Sequence, residues 1–357
     1  MKNILIIYVF LILLSGCITS LDLEHDNNRF LLVVDGKITQ KEIPHELLLN
    51  YSKSYGSTST NPVIGAKIKL VDGDGNFEEY IEEINGRYIL YGNDLQRSPG
   101  KSYHVEIELS NNKKYSSTPQ VMPEIMKPEK IYYETVMIEE TTDLENISSK
   151  RYLNIYINTP VIKNNQNFYF NWRVDHTYSF AEISCHPLKP AVVCYIKRKF
   201  DNEDVKIFSS ENLSGGMLEG FRVASVYLFP DWEFYEKHFY NVAQHSITKE
   251  AFTYWETVNK VAQSTGSIFD TPPAPVNGNI YNIENPDERV LGFFEVSAVD
   301  TIRTYTFADD LEPIAVSDRC SRLYYYKSIG DPACCDCLTI RDSQLERPLY
   351  WGYLHEE

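Results

Sequence analysis

Residues 63–76 have the sequence VIGAKIKLVDGDGN, and this stretch decides the fold class of the chain. Its alternate positions form an apolar face and a basic face, made by Ala66, Ile68 and Leu70 and by Lys67 and Lys69. Such alternation is typical of a strand that buries one face. The Gly-rich acidic sequence that follows favours a tight turn. We therefore predict a β-hairpin in which residues 77–84 form the returning strand.

The same turn carries oxygen ligands at a spacing similar to that of a calcium-binding loop. Asp72, Asp74 and Asn76 are followed by Glu83, eleven residues after the first aspartate. Phe77 occupies the position at which such a loop requires glycine, and the residues after it alternate like a strand. A hairpin turn is therefore the preferred interpretation, and a calcium site is the alternative.

Further short segments on both sides of the hairpin also predict strands: residues 29–38, 45–54, 86–90 and 100–109. Six or seven short strands with turns between them predict a β-sandwich over residues 27–122. The order of G-A-x-I-x-L, an acidic turn, N-G-R-Y and P-G-K-S-Y resembles a prealbumin-like or carboxypeptidase-regulatory-like sandwich, which is immunoglobulin-like in architecture. Such domains usually serve as spacers or docking modules, so this resemblance implies no chemistry.

A second, larger domain is predicted for residues 131–357, after a proline-containing linker at residues 123–130. Its predicted strands are residues 131–138, 151–158, 167–178, 192–200, 221–229 and 290–296. One α-helix is clear at residues 247–265, where apolar residues recur at intervals of three and four after a Ser246 or Thr248 N-cap. The predicted fold is therefore mainly β, with an N-terminal sandwich, a β-rich second domain and one helix.

The N-terminus has the features of an exported, lipid-anchored chain. Lys2 precedes an apolar run at residues 4–14, which is too short to span a bilayer. The sequence Leu14-Ser15-Gly16-Cys17 resembles a bacterial lipobox, which implies cleavage of a signal peptide at residues 1–16 and diacylation of the Cys17 thiol. Two or more acyl chains anchor a protein stably. An ordinary cleaved signal with an incidental cysteine is the alternative.

Residues 17–26 form a predicted acidic tether, with Asp22, Glu24 and Asp26. This acidic stretch resembles the export tag of surface lipoproteins in Bacteroidota. The resemblance implies a protein anchored in the outer membrane, and the cell surface is favoured over the periplasmic face.

Composition limits the partners. The chain has a formal net charge of −16, and an acidic surface repels phosphate backbones, so nucleic acid is not an expected partner. The 26 tyrosines and 17 phenylalanines suit a β-rich fold. We attribute these aromatic residues to core and sheet packing, with a ligand-stacking surface as the alternative.

Six cysteines remain besides Cys17: Cys185, Cys194, Cys320, Cys334, Cys335 and Cys337. An even number in an exported chain favours disulfides. The short loop between Cys185 and Cys194 predicts that these two pair with each other, and Cys320 is expected to pair with one of the last three. A zinc site made by the four C-terminal cysteines is the alternative.

No familiar catalytic motif is present. The sequence contains no G-x-S-x-G elbow, no H-E-x-x-H and no phosphate-binding loop. Two fragments could suggest catalysis, Ser214-Gly215-Gly216 and His245-Ser246, but the first has the composition of a turn and the second is expected at a helix cap. The sequence thus predicts a protein that is not an enzyme and that needs no cofactor or metal.

Several short motifs occur in a characteristic order: Val34-Asp35-Gly36, Gly65-Ala66, Ser246-Ile247, Glu250-Ala251-Phe252, Trp255, Phe269-Asp270, Gly278-Asn279-Ile280, Leu291-Gly292-Phe293-Phe294, the cysteine cluster, Arg347-Pro348 and Trp351. This order resembles a Bacteroidota lipoprotein family known as domain of unknown function 4249. The family has no established activity. Its members resemble accessory lipoproteins of TonB-dependent outer-membrane transporters, so the resemblance implies such a transporter as partner.

The leading hypothesis is a non-enzymatic outer-membrane lipoprotein that assists a TonB-dependent transporter in nutrient capture or uptake. A surface adhesin or glycan-binding lipoprotein is the alternative, and a cell-surface hydrolase ranks third. The candidate binding surface consists of aromatic residues beside the proline-rich loop at residues 269–275, namely Trp255, Phe269 and Tyr281.

Overall fold

Strand pairing divides the chain into two β-sandwiches, each with its own hydrophobic core. The computed structural model describes residues 30–41, 44–53, 60–92, 94–141, 147–163, 166–185, 188, 190–200, 205–213, 215–228, 232–263, 276–311, 319–320 and 331–352. The predicted signal peptide, acidic tether and lipidated Cys17 lie outside these residues, as does Phe269. No helix within the described ranges has the length and apolar character needed to cross a membrane.

The strands, in chain order, are β1 (Leu32–Ile38), β2 (His45–Tyr51), β3 (Lys67–Asp72), β4 (Phe77–Glu79), β5 (Ile81–Ile84), β6 (Arg87–Leu90), β7 (Ser102–Glu108), β8 (Lys114–Ser117), β9 (Gln120–Val121), β10 (Lys130–Thr141), β11 (Ile147–Pro160), β12 (Ile162–Lys163), β13 (Gln166–Asn167), β14 (Tyr169–Ala181), β15 (Val193–Lys199), β16 (Lys206–Ser209), β17 (Met217–Leu228), β18 (His238–Ile247), β19 (Ile280–Asn282), β20 (Leu291–Val296), β21 (Ala298–Thr306) and β22 (Ser343–Gln344). The α-helix is α1 (Lys249–Gln263). Short 3-10 turns occur at Ser210–Asn212, Trp232–Phe234, Ala308–Leu311, Pro332–Cys334, Cys337–Thr339 and Leu349–Gly352.

The first sandwich packs the sheet β20-β1-β2-β6-β5 against the sheet β19-β8-β7-β3-β4, with β9 paired to β7. The predicted hairpin is confirmed, since Val71 pairs with Phe77 in antiparallel register. Its return is split, however, because β4 pairs with β3 in one sheet and β5 pairs with β6 in the other. The change of sheet occurs at the buried Tyr80.

The acidic turn closes this hairpin with its own hydrogen bonds. The Asp72 carboxylate accepts from the backbone N–H groups of Asp74 and Asn76 at 3.0 and 2.9 Å, and from the Asn76 side chain at 3.0 Å. Glu83 instead accepts from Arg87 and Tyr91. Glu83 and Asp72 therefore serve different local contacts, and among the described residues no three His, Cys, Asp or Glu side chains are grouped so as to hold a metal ion.

Strands β19 and β20 belong to the first sandwich, although the sequence-based boundaries placed them in the second domain. β20 runs parallel to β1, with Val34 opposite Gly292, and β19 is antiparallel to β8. The second sandwich is thus inserted between β9 and β19, and the chain returns to it with β21. Alternation identifies a strand but not its partner, so the sequence pattern could not assign β20 to β1.

Two glycines make this return possible. A Cβ atom on Gly292 would collide with the Val34 carbonyl, and one on Gly278 would collide with the Gly292 carbonyl. Gly292 also has φ +94°, in a region that favours glycine. The Asn279 side chain completes the contact, because it donates to the Phe294 carbonyl and accepts from the Phe294 N–H, both at 2.9 Å.

The second sandwich packs β10-β11-β17 against a larger sheet, β21-β18-β14-β15-β22, in which β16 also pairs with β14. The internal strand β18 was not predicted, because nine of its ten residues are buried and it shows no alternation. Its polar Gln244 is satisfied inside the core. Gln244 accepts from the Trp172 indole at 2.9 Å and donates to the Met126 carbonyl and the Thr159 hydroxyl at 2.9 Å.

Three disulfides join the C-terminal segment to this sheet and to itself: Cys185–Cys335, Cys194–Cys337 and Cys320–Cys334. The expected pairing of Cys320 with one of the last three cysteines is confirmed. The predicted Cys185–Cys194 bridge is wrong, because the β14–β15 register places Cys194 opposite Phe180 and leaves Cys185 beyond the paired residues. All six sulfurs are oxidised, so none of them is available as a zinc-binding thiolate.

The disulfide pattern can be tested by peptide mapping of the non-reduced protein. Because Cys334, Cys335 and Cys337 lie within four residues, we expect the peptides that contain Cys185, Cys194 and Cys320 each to be cross-linked to this one segment, and no peptide that links Cys185 directly to Cys194. Replacing Cys194 and Cys337 together with alanine should lower the free energy of unfolding in urea by about 2–4 kcal/mol. A Cys185–Cys194 peptide as the main species would contradict the arrangement.

The return of β20 onto β1 can be tested with two glycines that both have positive φ. Gly75→Ala, where nothing lies within 4 Å of the added Cβ, should cost only the backbone strain, about 1–2 kcal/mol. Gly292→Ala adds a collision with the Val34 carbonyl, so its loss in the free energy of unfolding should be clearly larger. Equal losses for the two variants in urea titrations would contradict the close approach.

Candidate functional site

Helix α1 lies where the two sandwiches meet. Its N-cap is Thr248, whose hydroxyl accepts from the Ala251 N–H at 3.2 Å, whereas Ser246 lies within β18. Ala251 is fully buried in a small cluster with Ile247 of the second sandwich and Phe293 of the first. The single apolar face predicted for the helix therefore packs against residues of both sandwiches.

Two aromatic side chains of α1 attach the helix to β20. The Tyr254 ring stacks on Phe293 with centroids 4.8 Å apart. The Trp255 indole N–H donates to Oε2 of Glu295 at 2.8 Å. Glu295 is only 2% exposed, and its other carboxylate oxygen has no hydrogen-bond partner within the described structure. A buried carboxylate held by one indole fixes the position of Trp255.

A groove with a volume of about 630 Å³ lies between α1 and the strands β1 and β20. Its walls are largely apolar and aromatic: Tyr254, Trp255, Val258, Val261, Val33, Leu291 and Phe293. Asp35 and Arg289 add one acidic and one basic group. Tyr254 and Phe293 also line a second groove of about 570 Å³, whose other lining residues include Lys249, Glu250, Thr253, Thr257, Asn277 and Asn279.

Charged groups of both sandwiches meet beside this groove. The Asp35 side chain is exposed, but the surrounding protein atoms desolvate its carboxyl in part and raise its pKa. The positive charge of Arg173 opposes this rise. Burial, with a further contribution from the positive charge of Arg173, lowers the pKa of Lys37 to about 8. The negative charge of Glu295 raises the pKa of both Asp35 and Lys37. The site thus combines apolar walls with acidic and basic groups in a partly desolvated environment.

Only part of the predicted binding surface is found here. Trp255 lines the groove, whereas Tyr281 lies on the edge strand β19 of the opposite sheet and is 39% exposed. Phe269 is outside the described residues. Sequence reasoning missed Asp35, Arg289 and Glu295 as site residues. Asp35 and Glu295 stand in or next to the short motifs noted above, but only the β1–β20 pairing brings them to Trp255.

Three histidines are buried in the protein interior and make polar contacts there. Nδ1 of His176 lies 2.8 Å from Nε2 of His238 within a stack of aromatic rings, and burial lowers their pKa values to about 4 and about 3. His245 is buried with its Nδ1 3.1 Å from the Ser297 hydroxyl, and burial holds its pKa well below the usual value. These three imidazoles are buried with polar contacts, and His245 lies in β18 rather than at the helix cap.

A search of the curated proteins finds no match to this chain. A solved structure from work on the promiscuous specificity of carbohydrate-binding modules of the β-sandwich superfamily is 8% identical, with 57% of this chain and 96% of that chain covered, at a TM-score of 0.15. These values are too low to carry an argument about function. A family model does match residues 18–303, which is most of the chain. The protein therefore belongs to the family described as a domain of unknown function, DUF4249.

Proposed function

We propose that this protein is a non-enzymatic lipoprotein of the outer membrane that captures a small ligand beside a TonB-dependent transporter and assists its uptake. The groove between α1, β1 and β20 is the proposed capture site. The lipobox-like sequence that ends at Cys17 supports the location. The transporter as partner rests on the resemblance of the family to accessory lipoproteins.

The groove is the observation that carries this proposal. Its volume of about 630 Å³ falls within the range of about 300–1,000 Å³ typical of small-molecule sites. Apolar and aromatic walls with a few polar groups are also typical of such sites. Asp35 and Arg289 provide opposite charges that can orient a ligand, while Trp255 is held in place by Glu295.

The non-enzymatic part of the proposal is supported by the positions of the best candidate bases. A general base must be within hydrogen-bond reach of its substrate. His176, His238 and His245 are instead packed inside the protein with low pKa values. Their imidazoles are therefore shielded from solvent. Their contacts instead support the second sandwich and, through Ser297, its junction with the first.

The partner can be tested by expressing the full chain with a C-terminal tag, solubilising outer membranes in mild detergent and identifying what co-purifies. We expect one TonB-dependent transporter in roughly stoichiometric amount. Cys17→Ala should release the protein from the membrane and abolish the complex. Elution of the wild-type protein alone, from membranes that are efficiently solubilised, would contradict the accessory role.

The groove can be tested in the same strain by measuring uptake of that transporter's substrate. Val261 lines the groove and is 37% exposed, so Val261→Arg should obstruct ligand binding without disturbing the core. Ala262→Arg is the matched control, because Ala262 is exposed and is not part of the groove lining. Uptake should fall several-fold only for Val261→Arg. Equal uptake by the two variants would exclude the groove as the capture site.

A further inference from the structure

The groove between α1, β1 and β20, which we call the capture groove, has a floor made by one face of two parallel strands. Val34, Val290 and Phe294 are buried in the core of the first sandwich. Successive residues of a strand point to opposite faces, so the residues that alternate with these three lie on the other face. Four of them line the groove: Val33, Asp35, Leu291 and Phe293. Arg289, which also lines the groove, continues this row ahead of β20.

Two opposite charges lie at the ends of this row. Asp35 is directly opposite Phe293 in the register of β1 with β20. Arg289 precedes Phe293 by four residues, which correspond to about 13 Å of extended chain. Both charged side chains are exposed, and neither has an ion-pair partner among the described residues. A bound ligand therefore meets a carboxylate at one end of the groove and a guanidinium at the other.

The acidic end lies beside an aromatic side chain of α1. Burial and the negative charge of Asp35 raise the pKa of the Tyr254 hydroxyl, so this hydroxyl is within electrostatic range of the carboxylate. Four further charged groups act on Asp35, and their signs balance, with two positive and two negative: Lys37, Arg173, Glu46 and Glu295. The net charge that this end presents to a ligand is thus that of Asp35 itself.

The basic end has no carboxylate beside it on the described groove lining. Glu288 is next to Arg289 in the sequence, but its carboxylate accepts from the Lys113 ammonium at 3.1 Å. Asp287 is exposed and is not part of the lining. The guanidinium of Arg289 is therefore available to an anionic group of a ligand.

The middle of the capture groove is aliphatic. Val33 and Leu291 are opposite each other in the strand register and lie between the two charges along the strands. Three valines complete the aliphatic lining: Val258, Val261 and Val276. The indole N–H of Trp255 is already bonded to Glu295. This arrangement matches a ligand that is apolar along its length and carries opposite charges at its two ends.

We propose that the capture groove binds a short apolar oligopeptide in an extended conformation, with its N-terminal ammonium at Asp35 and its C-terminal carboxylate at Arg289. This inference rests on the proposed capture function of the groove. Three or four residues of extended peptide span about 10–13 Å, which matches the separation of the two charges. Guanidinium and carboxylate groups form strong charge-assisted hydrogen bonds.

Two simpler ligand classes fit the groove less well. A single amino acid carries its two charges on neighbouring atoms, so it cannot reach Asp35 and Arg289 together. A fatty acid has no cationic group for Asp35. The partly desolvated carboxylate would then remain unpaired beside the ligand, which costs free energy.

The test is calorimetric titration of the full mature chain, with Cys17→Ala to remove the lipid anchor. The probes are the tetrapeptides Val-Ala-Val-Leu and Phe-Ala-Val-Leu, each with free ends, with an acetylated N-terminus and with an amidated C-terminus. Leucine and octanoate serve as a short zwitterion and an apolar anion. We expect at least one free-ended peptide to bind about tenfold or more tightly than its blocked forms, leucine or octanoate, because each of these lacks a charged contact or the required length.

Two variants assign the ends of the peptide. Asp35→Asn should weaken binding of the free-ended peptide by about tenfold and leave binding of the acetylated peptide unchanged. Arg289→Gln should likewise weaken binding of the free-ended peptide and leave that of the amidated peptide unchanged. Asp287→Asn is the matched control, because Asp287 is exposed near Arg289 in the sequence but does not line the groove. Urea titration shows whether each variant is folded, and Arg289→Gln keeps the test valid if Asp35→Asn is not.

The location is tested with Val261→Arg, which should abolish peptide binding. The inference is overturned if no free-ended peptide binds, if leucine or octanoate binds as tightly, or if Val261→Arg binds like the wild type. It is also overturned if the folded charge variants weaken free and blocked peptides equally, or weaken neither. The uptake comparison of Val261→Arg with Ala262→Arg decides separately whether the groove captures any ligand, so a wrong ligand class is distinguishable from a wrong capture site.

Discussion

The structure depends on the close approach of three backbone segments at Val34, Gly292 and Gly278. The absence of side chains at the two glycines lets β20 pair with β1, and Asn279 then bonds both backbone groups of Phe294. This contact ends the inserted second sandwich: the chain returns to the first sandwich as β19 and β20 and only then adds β21 to the second. Helix α1 precedes this return and is held against β20, so the groove is a consequence of the same contact.

Periodicity predicted much of the fold, and it did so where one face of a strand is buried. Residues 63–76 show this, since Ile68 and Leu70 are in the core, whereas Lys67 and Lys69 are not. The method failed for β18, where residues on both faces are buried and polar Gln244 replaces an apolar residue in the core. It also could not choose partners. The parallel pairing of β20 with β1 joins residues 258 positions apart, such as Val34 and Gly292, and no local pattern encodes it.

The candidate site was predicted to the same partial extent. Trp255 was identified because the helix stripe is strong, whereas its partner Glu295 lies in β20, which the sequence-based boundaries placed in the second domain although it pairs with β1 of the first sandwich. The disulfide pairing was likewise not predictable from local sequence, because the register of β14 with β15 determines which cysteines lie close together. Local order was thus predictable, and contacts between distant segments were not.

The return of β20 to the first sandwich is the claim on which the groove and the proposed capture site depend. Hydrogen exchange of the full chain, followed by mass spectrometry of its peptides, tests it most directly. We expect the amides of Leu291–Val296 to be protected as strongly as those of Leu32–Ile38 and to open together with them as denaturant is added. Rapid exchange of Leu291–Val296, or opening together with the strands of the second sandwich instead, would contradict the account.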